Sequence, residues 1–166
     1  MGPGLVAFTL IHVVISLVGI GSGIAVVLGM ISARASVKWT AWFLSSTLLT
    51  CVTGFLFPFH KFLPSHAVGI LSLIALSIAI FAQYGRQLTG AWRRTYAASA
   101  TSALYFNVFV LVAQSFQKIP MLKAMAPTQS EAPFKAAQLV LLALFVFIAI
   151  FAGIRFQPKR SLTAIP

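Results

Sequence analysis

The sequence predicts an all-α protein, a polytopic transmembrane helical bundle of five spans with its N-terminus outside. Three observations lead there. Of 166 residues, 60% are hydrophobic and only 8% charged, against roughly 25% charged in a soluble domain. The apolar residues gather in five long runs free of Asp, Glu, Lys and Arg, each near the roughly 20 residues a helix needs to cross about 30 Å of hydrocarbon. The runs do not alternate in polarity as barrel strands do, and an isolated strand in lipid would leave its backbone unsatisfied. One transmembrane domain over residues 1–166 accounts for the chain. Disorder is excluded by the same apolar content.

The first predicted span is about Leu5–Ile31. Ala33-Arg34-Ala35 imitates a leader-cleavage site, but a leader has a positive start and an apolar core of about 7–15 residues. Nothing charged precedes Arg34 and the run is far longer, so an uncleaved, tilted helix is expected. His12, Ser16, Gly19 and Gly23 recur at helical spacing and share one face. Small residues let helix backbones approach in lipid, so that face is predicted to pack on another helix.

The second span, about Thr40–Phe59, carries Ser46, Thr50 and Thr53 on one face, hydroxyls that can return their protons to the preceding turn. Cys51 is the only cysteine, so no internal disulfide is available and a small core residue is expected. The third, about Ala67–Tyr84, follows the helix-start signals Pro64-Ser65. The fourth, about Thr95–Phe116, is the least apolar. Asn107 and Gln114 lie seven residues apart on one of its faces and are expected to point into the bundle, because amides in hydrocarbon need partners. Tyr96 and Tyr105 can assist them. The fifth, about Ala136–Ile154, follows Thr128, Ser130, Glu131 and Pro133, an ordinary helix-start group with its acid near the positive end of the dipole. The longest connection, Gln117–Lys135, is amphipathic and can lie on the membrane surface as a cover.

Five spans put Arg34, Lys38, Arg86, Arg93, Arg94, Arg155, Lys159 and Arg160 on one side and Lys61, Lys118, Lys123 and Lys135 on the other. Eight cations against four orient the C-terminus to the cytoplasm. Trp39, Trp42 and Trp92 fall at span ends on the same side, as an interfacial belt would. The net charge of +11 thus finds its partner in anionic headgroups on the cytoplasmic side rather than in nucleic acid. A homo-oligomer or another membrane protein is a further possible partner.

The residues able to do chemistry project to the outer third: His12, His60, His66, Gln114 and Glu131. An ionisable group inside a span is a functional candidate by default, which singles out His12. His12, His66, Asn107 and Gln114 form the candidate ligand set. His12, His60, His66 and Glu131 are the candidate metal ligands by type, though no dense motif joins them. Asp is absent and no carboxylate lies near mid-bilayer. Ser16 with His12 lacks a third group to orient a base. No catalytic constellation is therefore predicted.

The segments His12-Val13-Val14, Thr53-Gly54-Phe55-Leu56-Phe57-Pro58, Ser65-His66-Ala67-Val68-Gly69 and Ala126 to Phe134 together resemble small bacterial inner-membrane proteins without an assigned activity. More loosely, the chain is similar to cytochrome b561-like helical bundles. That second resemblance implies haem b between paired histidines on facing helices, here His12 and His66. Assembly alone explains most polar residues. The leading expectation is therefore a non-enzymatic interaction subunit or a binder of a small apolar ligand at its outer end, with no cofactor. A haem- or quinone-binding redox protein using His12 and His66, and a small-solute transporter or channel, are the alternatives.

Overall fold

A computed structural model describes residues 2–34, 36–57 and 64–156. Among these residues there is helix and no strand. The elements are α1 (Pro3–Ile31), α2 (Val37–Phe55), α3 (Pro64–Ile80) running on into a π-helical turn (Phe81–Gly85), α4 (Trp92–Lys118), α5 (Pro120–Met125) and α6 (Ala132–Arg155). Four stretches are long and apolar enough to cross a membrane: Pro3–Ile31, Ser65–Gly85, Trp92–Lys118 and Ala132–Arg155. The second predicted span, about Thr40–Phe59, is not among them. Ser45, Ser46, Thr47, Thr50 and Thr53 dilute its apolar surface, and α2 ends at Phe55.

Neighbouring long helices alternate in direction. Along α1 and α2, His12 meets Thr53, Gly19 lies beside Ser46 and Thr47, and Gly23 beside Phe43, an antiparallel register. Against α4, Gly19 lies beside Asn107 and Gly23 beside Leu104, so α4 also opposes α1. Phe134, Phe145 and Phe156 sit on Phe116, Tyr105 and Tyr96 in turn, which sets α6 antiparallel to α4. The starts of α1, α3 and α6 therefore share one end of the bundle with the finishes of α2 and α4. This first end holds His12, His66 and Glu131. The opposite end holds Arg34, Lys38, Arg86, Arg93, Arg94 and Arg155, with Arg86 5.3 Å from the Trp92 ring centre.

Composition and position are inverted relative to a soluble protein. The most apolar of the four spans, α6 (mean hydropathy 2.7), is the least enclosed, while α4 (1.5) lies at the centre. Lipid is as apolar as Leu, so exposing α6 costs nothing, whereas close helix packing selects small residues. Ala97, Ala100 and Ala103 are wholly buried along α4 and form its contact ridge. Gly23 answers them from α1. A Cβ there would stand 2.7 Å from Leu104 Cδ1 and 2.8 Å from the Phe43 ring. The glycine face predicted for the first span is thus the α1 seam against α2 and α4.

Candidate functional site

At the first end, His12 Nδ1 lies 2.7 Å from Thr53 Oγ1. The Thr53 hydroxyl donates to the Leu49 carbonyl at 2.6 Å, so it accepts from His12 Nδ1–H. A neutral His12 then keeps its lone pair on Nε2. Phe57 meets the imidazole edge-on at 5.1 Å, and Gly54 lies beside its Cε1. His66 is buried and stacks on Phe55 at 5.7 Å. Thr53 and Phe55 are two residues apart on one helix, hence about 200° apart around it. The two histidines thus dock on different faces of the α2 terminus.

The remaining candidates separate as well. His60 lies outside the described residues. Among the described residues no group of three His, Cys, Asp or Glu side chains can hold a metal ion. Glu131 is the N-cap residue of α6, but it caps nothing in the helix. Its carboxylate turns back to accept from Thr128 N–H at 3.1 Å, Thr128 Oγ1–H at 2.8 Å and Ser130 N–H at 3.0 Å. Desolvation pushes the Glu131 carboxyl up, but these hydrogen bonds outweigh it and hold it below the usual carboxylate range. Cys51 is a buried free thiol.

Asn107 is buried and donates to Thr47 Oγ1 at 3.3 Å, beside the Gly19 gap, so it joins α4 to α2 where α1 also passes. Ser16, one turn from Gly19, returns its proton to the His12 carbonyl at 2.8 Å. Gln114 departs from expectation: it is exposed. Seven-residue spacing fixes its angle around α4, not whether a neighbour stands opposite. Gln114 is four residues from the helix end, about 6 Å, where a headgroup layer or water can serve it.

The site that the sequence reading missed lies between α4 and α6. A groove of about 400 Å³ opens at the first end and is lined by Tyr105, Phe109, Phe134, Lys135, Gln138, Leu139 and Leu142. A separate, smaller hollow of about 90 Å³ lies further along the same two helices, lined by Thr101, Phe145 and Ala149 and sharing Tyr105 and Leu142 with the first. Gln138 is only 9% exposed. Its Nε2 donates to the Phe109 carbonyl at 3.2 Å, which fixes the amide orientation and leaves Oε1 with no partner. Thr101 Oγ1, at the smaller hollow, is likewise buried and unpartnered. An unsatisfied buried acceptor costs about 1–3 kcal/mol. Gln138 is a lone amide in the most apolar run, the same signal that drew attention to Asn107 and Gln114.

The segment after α4 folds back onto the finish of that helix. Gln129 Nε2 donates to the Ala113 carbonyl at 2.6 Å and Gln117 Nε2 to Gln129 Oε1 at 3.1 Å. Those bonds tie the connection to the finish of α4, while Met121 and Met125 stay exposed. Neither a family model, nor a curated protein, nor a solved structure matches the chain.

Proposed function

We propose that this chain is a non-enzymatic integral membrane protein of a bacterial cytoplasmic membrane, with five spans and its N-terminus outside, that binds a small apolar ligand at its outer end. The ligand's place is the α4–α6 groove rather than the His12 and His66 neighbourhood. One observation carries this reading: a groove of about 400 Å³ is walled by Tyr105, Phe109 and Phe134, with the otherwise isolated amide residue Gln138 in its lining. Small-molecule sites have this character, apolar and aromatic walls with a few placed polar groups.

The five-span count is supported by the hydroxyls of α2, which cause little polar exposure. Ser45, Ser46, Thr50 and Thr53 each donate to the carbonyl four residues back, at 2.5–2.9 Å. The outside N-terminus follows from the cation imbalance between the two ends. Filling the groove tests the ligand reading. Protein purified from its native membrane is expected to carry one apolar adduct per chain in native mass spectra, and Leu142→Trp to remove it. An adduct unchanged by Leu142→Trp, or no adduct on either protein, would overturn the reading.

A further inference from the structure

We infer that the bundle end opposite the groove holds one phosphate group on the Arg93 guanidinium, a contact independent of the groove and its ligand. Arg93 and Arg94 are neighbours in the first turn of α4, yet they stand differently. Tyr96, Ala97 and Ala100 follow Arg93 at three, four and seven residues, so they share its face, and all three are at most 1% exposed. Arg93 therefore tops the inward face of α4 and is itself partly buried, whereas Arg94, about 100° further around the helix, is exposed. The Arg93 Nε is enclosed and has no partner. No ligand reaches that atom; what it shows is a guanidinium drawn partly out of water with no counter-charge. The two Nη groups are not enclosed and bond to no protein atom among the described residues. They are the surface that an anion meets.

A partly buried charge without a partner is costly, and an arginine cannot escape the cost by losing its proton. The surroundings add to the need. Glu131, the only acidic side chain, lies at the other end of the bundle. The first turn of α4 contains no acid, and its N-cap residue, Ala91, makes no side-chain bond, so the positive end of the helix dipole reinforces the guanidinium. A further cation, Arg86, sits 5.3 Å from the ring centre of Trp92, the residue before Arg93. The compensating anion therefore comes from outside the chain. The apolar stretch of α4 begins at Trp92, which sets Arg93 at the level of the headgroups, where phosphate is the concentrated anion. Two free Nη groups in one plane match two phosphate oxygens. An anionic phospholipid and free inorganic phosphate present the same oxygens.

Native mass spectrometry of the full chain in a non-ionic maltoside tests this. The titrants are dioleoyl phosphatidylglycerol, dioleoylglycerol (the same chains without phosphate) and inorganic phosphate. Arg93→Gln is expected to weaken phosphatidylglycerol binding about tenfold, the worth of hydrogen bonds to a charged group, and Arg94→Gln by less than about twofold, as for an exposed pair. Neither variant should alter dioleoylglycerol binding. Arg93→Lys keeps the charge without the planar fork. It is expected to fall between wild type and Arg93→Gln, and it carries the test if Arg93→Gln does not fold. Inorganic phosphate bound by wild type and lost in Arg93→Gln, with phosphatidylglycerol indifferent to Arg93, would support the site and assign it to free phosphate. Equal weakening by Arg93→Gln and Arg94→Gln would overturn the inference, because diffuse attraction does not distinguish the two. So would binding of every titrant unchanged by substitution of Arg93.

Discussion

Gly23 is where a single atom matters most. The Cβ of an alanine there would overlap the Leu104 methyl and the Phe43 ring. Leu104 can rotate away, but Phe43 is 1% exposed and hemmed in. Gly23→Ala is expected to destabilise the bundle by about 1–3 kcal/mol, read as a lower midpoint in detergent-to-SDS unfolding, whereas Gly21→Ala, with open space at its Cβ, should leave the midpoint unchanged. This much was legible, because small residues four apart in a span point to a helix seam. The role of Glu131 was legible in part. The spelling Thr128-x-x-Glu131 anticipates the bond that Glu131 accepts from the Thr128 N–H, but α6 starts only at Ala132, so the carboxylate ties the turn before the helix. Because its folded pKa is depressed, the tie is fully present above the ordinary carboxylate range and is lost as pH falls through the lowered value. Amide exchange at Thr128 and Ser130 is therefore expected to stay slow at neutral pH and to exceed its intrinsic rate dependence only in strong acid. Glu131→Gln should speed it at neutral pH.

Helices extend beyond the hydrocarbon that hydropathy detects. The fourth predicted span, 95–116, became α4 at Trp92–Lys118, and the fifth, 136–154, became α6 at Ala132–Arg155. Arg93, Arg94 and Lys118 continue the backbone ladder where headgroups begin, so polarity marks the membrane boundary while hydrogen bonding sets the helix end. Direction around a helix was legible too, but burial was not. Asn107 and Gln114 share a face of α4, and only Asn107 meets another helix. Gln138 was hidden by the apolar residues around it, although its amide is as costly to bury as that of Asn107. Asn107→Leu is expected to weaken the α4–α2 seam by about 0.6–2 kcal/mol. Double substitution with Thr47→Val should cost less than the sum of the two single changes, since each removes the same hydrogen bond.

At the scale of the whole molecule, α2 decides the topology. It lacks the hydropathy of the other long helices, yet it lies antiparallel to α1 and carries His66 of α3 against Phe55 at its finish. Its two ends meet neighbouring helices, Thr53 at His12 and Thr40 at Tyr96. In the proposed five-span arrangement the turn after α1 and the turn before α4 belong to the same side, and the α5 segment to the opposite one. That arrangement also gathers Arg34, Lys38, Arg86, Arg93 and Arg94 together, the distribution that favours the cytoplasm. Single cysteines in a Cys51→Ser background separate the possibilities. With five spans, Ser32→Cys and Thr89→Cys should both resist an impermeant maleimide until the membrane is opened, and Ala124→Cys should react in intact cells. With α2 left out of the bilayer, positions 32 and 89 would fall on opposite sides, and one of them would label in intact cells while the other stayed protected.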